Sequence, residues 1–247
     1  MIVVRLMGGL GNQLFQWAYG KSLSIRYGHE LYLDVSFLNS EYEGITKREF
    51  SLDKLGIEDP SCIFEESGLT VVTDESPFSH RHGQSYLIQG YFQNERYFMD
   101  IAGYVRNAIR PDASLRQTFG ISRRDVSMHI RRTDYLSSNG AHPVQDLSYY
   151  EEAVSLLGDY ERILVFSDDA EWCERSLMFD RAFLVRGKDD VEDMQLMSLC
   201  GDNIIANSSF SWWSAWLNEN RSKKVIYPKR WFGSGMSDIP CRDWTGI

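Results

Sequence analysis

Short apolar runs rich in β-branched residues alternate along the chain with amphipathic stretches of helical length. Such runs are typical of buried strands, and the amphipathic stretches place their apolar positions on one face of a helix. This alternation is the pattern of a parallel sheet whose strands are joined by crossover helices. The sequence therefore predicts an α/β fold.

The alternation is clearest in the second half of the chain. The elements predicted there are strands at 125–131, 162–166, 182–186, 203–206 and 225–227, and helices at 149–157, 170–178, 190–199 and from residue 211. This order is typical of a Rossmann-type nucleotide-binding domain, in which ligands lie beyond the carboxyl ends of the strands. We therefore expect the ligand-binding residues at that edge of the sheet.

The first half has a weaker pattern. Its predicted elements are a strand at 2–6, a helix at about 13–27, and strands at 31–34 and 86–89. Residues 40–84 show little periodicity, and residues 113–121 form a polar stretch that is typical of a linker. We therefore divide the chain into two lobes, residues 1–115 and residues 116–247.

Composition and charge limit the kinds of function that the protein can have. The chain has 247 residues, of which 43% are hydrophobic and 25% charged, as in folded globular proteins. The formal net charge of -9 argues against broad binding to nucleic acid or anionic lipid, although it leaves peripheral membrane association open. An anionic ligand would therefore be held by a few well-placed cations.

The four cysteines are widely spaced and form no CxxC pair, which favours buried free thiols over a zinc site. No run of about 18 apolar residues occurs, and the chain starts directly with a predicted strand, so we expect neither a membrane span nor a signal peptide. Together with the free thiols, this indicates a cytoplasmic location.

A glycine turn, residues 8–13 (GGLGNQ), lies between the first predicted strand and helix. Its glycines allow close backbone approach, and the helix start offers N–H groups to an anion. A dinucleotide fingerprint requires glycine where Leu14 stands, and a P-loop requires glycine where Phe15 stands. Two interpretations stay open, namely an anion-binding turn and a tight turn with Asn12 as the N-cap.

Paired arginines follow the predicted strand at 125–131, within the motif HIRRTD at 129–134. Arginine is suited to bidentate capture of phosphate and can offset the charge of a leaving diphosphate. Strand alternation predicts that Arg131 and Arg132 point to opposite faces, so one contacts ligand and the other pairs with Asp134 or another carboxylate. The alternative is a purely structural salt-bridge cluster.

Two further polar motifs follow predicted strands. In SDD at 167–169, Ser167 or Asp168 is predicted as the N-cap of the next helix, and the set of oxygen ligands that would specify Mg²⁺ is missing. In NSSFSWW at 207–213, the serines and backbone N–H groups suit a diphosphate, and Phe210 either faces ligand or packs. The tryptophans there, with Trp216, fit one buried helix face. Asp193, in an amphipathic helix, is interpreted from its pattern as exposed.

Four motifs in this order resemble the α-1,2-fucosyltransferase family, known as glycosyltransferase family 11. They are GGLGNQLFQ, HIRRTDY, SDD and ANSSFSWWSAWL. The resemblance spans most of the chain but not residues 40–110. It implies a GT-B type fold of two Rossmann-like lobes with parallel sheets, in which residues 1–115 lie on the acceptor side and residues 116–247 bind the donor.

The resemblance also implies a reaction. L-Fucose would move from GDP-β-L-fucose to the 2-hydroxyl of a terminal galactose in an oligosaccharide, with inversion and without a metal or other cofactor. The donor-binding residues that it implies are Gly11, Asn12, His129, Arg131, Asp168, Asp193, Ser208, Ser209 and Phe210. Among them, Arg131 looks like the arginine that holds the β-phosphate, and Asp193 resembles a guanine-binding carboxylate, contrary to its interpretation as an exposed residue.

The catalytic candidates are Arg131, which would stabilise the departing GDP, and a base that deprotonates the acceptor hydroxyl. Asp134 and His142 are the candidate bases because both follow the arginine motif, and a desolvated hydroxyl or another carboxylate stays open. Two other functions also remain, namely a nucleotide-sugar-binding protein without catalysis and a transferase for a different GDP-sugar or acceptor.

Overall fold

A computed structural model describes residues 1–40, 46–64, 68–76, 78–137, 140–177, 179–187, 189–233 and 237–247. The chain divides into two compact units, Met1–Ile109 and Arg110–Ile247. This division falls a few residues before the one expected from the sequence. The polar stretch at 113–121 lies inside the second unit, where part of it is helical.

The first unit contains a five-stranded parallel sheet with the order β3-β2-β1-β5-β4. Its strands are β1 (Ile2–Arg5), β2 (Leu31–Asp34), β3 (Ser61–Cys62), β4 (Thr70–Val72) and β5 (Tyr86–Ile88). Its helices are α1 (Leu10–Tyr27) and α2 (Ala102–Ala108), with 3-10 turns at Asp53–Leu55, Glu95–Tyr97 and Met99–Ile101. The short strands β3 and β4 lie in the stretch where the sequence predicted no element.

Helix α1 begins earlier than the sequence predicted. Gly9 is its N-cap, so Asn12 lies inside the first turn and the prediction of Asn12 as N-cap is wrong. The helix begins at once because Gly8 has a φ of 75°, which turns the chain directly from β1 into the helix. It ends at Gly28, whose left-handed conformation is typical of a helix C-terminus.

The second unit contains a six-stranded parallel sheet with the order β11-β10-β9-β6-β7-β8. Its strands are β6 (Val126–Ile130), β7 (Ile163–Ser167), β8 (Ala182–Leu184), β9 (Asp202–Ile204), β10 (Val225–Tyr227) and β11 (Thr245–Gly246). Its helices are α3 (Ser114–Thr118), α4 (Thr133–Leu136), α5 (Leu147–Ser155), α6 (Ala170–Ser176), α7 (Asp190–Leu199) and α8 (Ser209–Leu217).

The central strands of this sheet are buried on both faces. Val126, Met128 and Ile130 of β6 pack in one core cluster with residues of α5. Leu164 and Phe166 of β7 pack in a second cluster with residues of α7. Because alternate strand residues point to opposite faces, the polar residues of β6 between its apolar ones face away from α5.

Most predicted elements of this unit are present, with bounds that differ from the prediction by at most two residues. The N-cap prediction for α6 is wrong: Asp169, rather than Ser167 or Asp168, caps this helix by accepting from Trp172 N–H at 3.0 Å. The predicted end of α6 at Met178 lies outside the described residues. The buried tryptophans are confirmed, since Trp212, Trp213 and Trp216 are at most 3% exposed.

The four cysteines carry free thiols, as predicted, but Cys62 is only half-buried whereas the other three are buried. Within the described ranges, none of the helices combines the length and the apolar character that are needed to cross a membrane.

Two helical glycines make a matched stability test. A Cβ on Gly20 of α1 would lie 2.2 Å from Val4 Cγ2 and 3.1 Å from Leu31 Cδ1, whereas a Cβ on Gly103 of α2 meets nothing within 4 Å. We expect Gly20→Ala to lower the free energy of unfolding by about 1–3 kcal/mol through overpacking. Gly103→Ala should raise it by about 0.5–1 kcal/mol because alanine favours the helix. Urea denaturation checks both, and shifts of the same sign would contradict this packing.

Candidate active site

The carboxyl ends of β9, β6 and β7 lie side by side, because these three strands are neighbours in a parallel sheet. The three polar motifs of the second unit follow these strands, so the fold brings them to one edge. The arginine motif leaves β6, the SDD motif leaves β7 and the NSSF motif follows β9.

Arg131 lies at the centre of this edge. Its Nε donates to Asp134 Oδ1 at 2.9 Å and its Nη2 to Asp134 Oδ2 at 2.6 Å, while Asp168 Oδ2 lies 3.3 Å from Nε. Burial alone would lower the pKa of Arg131, but its hydrogen bonds to Asp134 and the charge of Asp168 raise it. The guanidinium is therefore a permanent cation that is shared by two carboxylates.

Asp168 fixes the backbone that carries this arginine. Its carboxylate accepts from the N–H groups of Arg132 at 2.9 Å and Thr133 at 3.2 Å, and from the Thr133 hydroxyl at 2.5 Å. These bonds tie the first residue after β7 to the start of α4. Asp168 thus holds the arginine motif in place while it also contacts Arg131.

Arg132 has different partners, as strand alternation predicted. Its Nε lies 3.1 Å from Asp169 Oδ2, and its guanidinium stacks 4.0 Å above the Trp172 ring. Arg132 thus pairs with a carboxylate, as expected for one of the two arginines, but Arg131 pairs with carboxylates as well, and a ligand contact of Arg131 stays a prediction. Arg132 therefore connects the end of β6 to α6, whereas Arg131 contacts Asp134 and Asp168.

His129, the fourth residue of β6, is only 4% exposed, and its ring lies 5.4 Å from the Phe210 ring. Burial and the nearby Arg131 charge lower the pKa of His129 to about 3, so its imidazole is neutral at pH 7. Its Nδ1 has no hydrogen-bond partner among the described residues. A buried polar atom without a partner calls for an explanation, and a bound ligand or water that accepts or donates at this position is one.

Helix α8 begins at the end of β9 with features that suit an anion. Ser208 is its N-cap but makes no side-chain cap hydrogen bond, and the first turn contains no acidic residue. The first N–H groups of a helix lack partners within the helix and carry its positive dipole end. Ser208, Ser209 and Phe210 therefore lie where a phosphate group is favoured.

His142 joins the same edge through Tyr135. The His142 and Tyr135 rings stack at 5.0 Å, and the Arg131 guanidinium lies 5.8 Å from the centre of the Tyr135 ring. Burial lowers the pKa of His142, although the charge of Asp134 opposes this shift. Ser138 and Asn139 of the loop that precedes His142 lie outside the described residues.

Asn207 was overlooked as a positioning residue. It is 1% exposed, and its Nδ2 donates to the carbonyls of Pro143 at 3.1 Å and Trp231 at 2.9 Å. Its Oδ1 accepts from Gln145 at 3.0 Å, and its own carbonyl accepts from the Tyr135 hydroxyl at 2.7 Å. The sequence signal was an asparagine between a buried strand and a helix, where a buried amide needs several partners.

The remaining predicted residues lie elsewhere. Asp193 is in the first turns of α7, half-buried and with its Oδ1 buried, so the interpretation as an exposed residue is wrong. Gly11 and Asn12 belong to the first unit, in the first turn of α1. Among the described residues, no group of three or more histidine, cysteine, aspartate or glutamate side chains has an arrangement that could hold a metal ion.

The family model described as glycosyl transferase family 11 matches residues 64–247, which is most of the chain. The chain belongs to glycosyltransferase family 11. The resemblance inferred from the four motifs is thereby confirmed. As a member of this family, the protein is a glycosyltransferase.

Two curated relatives come from Escherichia coli. An α-1,2-colitosyltransferase is 32% identical, over 94% of this chain and 92% of its own length. The O-antigen biosynthesis glycosyltransferase WbnK is 39% identical, over 49% of this chain and 44% of its own length. The first relative therefore matches nearly the whole family 11 chain, and the second matches about half of it.

Solved structures confirm the fold. The chain matches the NodZ α-1,6-fucosyltransferase, a Bradyrhizobium protein solved after soaking with GDP-fucose, with a TM-score of 0.52 and 14% identity. The match covers 87% of this chain and 91% of the NodZ chain. The predicted GT-B type α/β fold with two parallel sheets is therefore confirmed.

The two arginines of this glycosyltransferase should respond differently to truncation. We expect Arg131→Ala to lower the rate of sugar transfer roughly a hundredfold or more, because a charged contact to the leaving diphosphate is lost. Arg132→Ala should instead lower the free energy of unfolding by about 1–3 kcal/mol through its lost contacts with Asp169 and Trp172. Steady-state kinetics and urea denaturation measure these two effects.

Arg124→Ala serves as the control for both arginines, since Arg124 is exposed and pairs with Asp159 at the surface. It should change neither quantity beyond about 0.5 kcal/mol or its equivalent in rate. Normal transfer by a folded Arg131→Ala protein would contradict the assignment of Arg131.

Proposed function

We propose that the protein is an inverting galactoside α-1,2-fucosyltransferase that moves L-fucose from GDP-β-L-fucose to the 2-hydroxyl of a terminal galactose. The observation that carries this proposal is that Arg131 and the start of α8, where Ser208 makes no side-chain cap hydrogen bond, follow the carboxyl ends of neighbouring parallel strands. That arrangement suits the diphosphate of a nucleotide sugar. A whole-length relative with an α-1,2 linkage in its name supports the linkage.

Donor binding requires an exchange of partners at Arg131. The cation now lies between the carboxylates of Asp134 and Asp168, so the cluster carries a net negative charge that would repel a diphosphate. A phosphate that takes the place of Asp134 keeps the guanidinium bidentately bonded. We therefore expect Asp134 to leave Arg131 when the donor binds, while Asp168 stays in place because three other hydrogen bonds hold it.

The other donor contacts follow the resemblance. Ser208, Ser209 and Phe210 would contact the diphosphate at the start of α8, and neutral His129 would offer Nδ1 to the same ligand. Asp193 would accept from the guanine base. The resemblance also implies donor contacts for Gly11 and Asn12, which lie in the first turn of α1. The positive end of α8 and Arg131 supply the charge stabilisation that the departing GDP needs.

In the proposed reaction the galactose 2-oxygen attacks the anomeric carbon of fucose as the bond from that carbon to the phosphate oxygen breaks. The attack from the opposite side converts the β-linked donor into an α-linked product. The bonding electrons leave with GDP, and the proton of the hydroxyl passes to a base. No other reactant is needed.

His142 is the base that the geometry favours. In the structure, Asp134 is bonded twice to the Arg131 guanidinium, so it becomes available as a base only if it leaves that arginine. His142 instead has a pKa below its ordinary value, so it is neutral and able to accept a proton at pH 7. Its loop is fixed on both sides, since Gly233 N–H donates to the Ala141 carbonyl at 3.0 Å and Asn207 binds the Pro143 carbonyl.

GDP-colitose is the alternative donor that a specific finding supports, because the relative that matches nearly the whole chain is named a colitosyltransferase. Colitose is L-fucose without its 3-hydroxyl, so the two donors share the GDP group and the reacting carbon. The test offers GDP-fucose, GDP-colitose and GDP-mannose in parallel with lactose, and determines the product linkage by NMR. Faster transfer of colitose than of fucose, or a linkage other than α-1,2, would overturn the proposal.

We also propose a cytoplasmic location, where GDP-sugars would serve as donors. The free thiols of all four cysteines support a reducing compartment. Fractionation of cells that produce the protein tests this location.

Transfer should persist in excess EDTA. We expect Arg131 and the start of α8 to supply the charge neutralisation that Mg²⁺ or Mn²⁺ gives in other transferases. The measurement is the initial rate of fucose transfer with and without the chelator. Loss of the rate on chelation, and its return when metal is added, would contradict this expectation.

The base should be visible in the pH profile. An imidazole base acts when neutral, so the rate falls as the pH drops through the pKa of His142, which lies below 6.5 because burial disfavours the imidazolium. In His142→Ala we expect this acidic limb to disappear and kcat to fall about a hundredfold. The affinity for GDP should be retained, and His82→Ala, at an exposed position, is the control. An unchanged kcat and profile would exclude His142 and favour Asp134.

A further inference from the structure

A second group of residues lies at the carboxyl edge of the other sheet, within the first unit. Strands β1 and β5 are parallel neighbours, so the turn after β1 and the segment after β5 leave this edge side by side. The segment after β5, Gly90 to Gln93, is named the GYFQ segment here. It lies in the part of the chain where the sequence pattern pointed to no function.

Asp74, which follows β4, holds the backbone of this segment. Its Oδ2 accepts from Tyr91 N–H and its Oδ1 from Phe92 N–H, both at 2.7 Å. The carboxylate can approach only because residue 90 is glycine, since a Cβ there would lie 2.3 Å from Asp74 Oδ2. Two charge-assisted hydrogen bonds therefore fix the peptide groups of consecutive residues.

Phe92 adopts a backbone conformation that aromatic residues rarely take, with a φ of 47°. Its side chain is 1% exposed, and its ring lies 4.6 Å from Tyr19 and 5.3 Å from Tyr97. Such a strained conformation persists only where the surroundings hold it, here through Asp74 and these rings. The strain turns the chain so that Phe92 points inward while the preceding residue stays at the surface.

The residue that this arrangement presents is Tyr91, which is 45% exposed. Its backbone is fixed, so the ring is a large apolar face with few conformations to lose on binding. Gln93 follows on the same segment, and its Nε2 donates to Asn12 Oδ1 at 2.7 Å. The Asn12 side chain packs closely against Gly8, since a Cβ on residue 8 would lie 2.4 Å from Asn12 Nδ2. The Gln93 amide is thus oriented from the neighbouring loop.

The arginine at the end of β1 is already paired with a carboxylate, which favours a neutral ligand over an anionic one at this position. Arg5, at the end of β1, binds Asp34 at 2.9 Å and Gln89 at 3.0 Å, so its cation is already used by a buried carboxylate. An exposed aromatic ring and an oriented amide two residues apart on one segment suit a sugar, whose ring has an apolar C–H face and a rim of hydroxyls that both donate and accept. This chemistry differs from that of the arginine edge in the second unit.

We propose that the GYFQ segment is a binding site for the neutral acceptor glycan, in which Tyr91 stacks on a sugar ring and Gln93 bonds its hydroxyls. Asp74 and Asn12 are positioning residues that act through the backbone of the segment and through the Gln93 amide. That the sugar is the acceptor is taken from the proposed function.

The first test measures lactose binding to the full chain without any donor, by saturation-transfer NMR. The wild-type protein should bind lactose, and both Tyr91→Ala and Gln93→Ala should weaken this binding about tenfold or more. Tyr104→Ala is the matched control, because Tyr104 is 47% exposed in the same unit. No lactose binding by the wild type, or an effect of Tyr91→Ala no larger than that of Tyr104→Ala, would overturn the proposal.

The second test separates positioning from folding by kinetics with GDP-fucose and lactose. Asp74→Ala should raise the KM for lactose about tenfold while kcat and the KM for the donor change less than about twofold. Asp74→Asn, which keeps one acceptor oxygen, should restore part of the lost affinity. Equal changes in both KM values, or no rescue by asparagine, would contradict a positioning role.

The two proposals fail in different ways. If the wild type binds lactose through Tyr91 but transfers no fucose, the proposed function fails and the glycan site stands. If fucose is transferred and lactose binding ignores Tyr91 and Gln93, the glycan site fails and the proposed function stands.

Discussion

The bonds that Asp168 makes hold the candidate active site together. This carboxylate follows β7 and accepts hydrogen bonds from the turn that follows β6, while it also lies against Arg131. Buried or half-buried backbone N–H groups need partners, and a carboxylate supplies strong ones. Without it, the start of α4 would lose three of the hydrogen bonds that hold it at the end of β7. The geometry of Arg131, the cation that we propose to bind phosphate, therefore depends on a residue from another part of the chain.

The same device occurs in the first unit. Asp74 follows β4 and accepts from two consecutive N–H groups after β5, as Asp168 follows β7 and accepts from two consecutive N–H groups after β6. In both sheets an aspartate that follows one strand fixes the segment that follows the neighbouring strand of the sheet. The consequences differ because the loops carry different side chains. One presents an arginine that suits a diphosphate, and the other presents a tyrosine and an amide that suit a neutral sugar.

The charge arrangement of the second unit is the basis of the exchange of partners that we propose at Arg131. A guanidinium between two carboxylates is well bonded but leaves the cluster with excess negative charge. Asp168 is held by three hydrogen bonds from the turn after β6, so Asp134 is the carboxylate that we propose an incoming phosphate displaces. Neutral His129 and the uncapped start of α8 complete an environment without further negative charge close to the helix start.

The local sequence pattern determined most of the secondary structure and indicated the family. Periodicity located the central strands and the long helices, strand alternation separated Arg131 from Arg132, and four motifs in order indicated the family. Helix starts were less well determined, since Gly9 and Asp169 rather than the expected side chains cap α1 and α6. Only the tertiary structure revealed the roles of Asp168, Asn207 and Asp74. Asp168 and Thr133 are 35 residues apart, and Asp74 and Phe92 are 18 apart. Their contacts exist because the order of strands in each sheet makes distant loops neighbours, and no local propensity encodes that order.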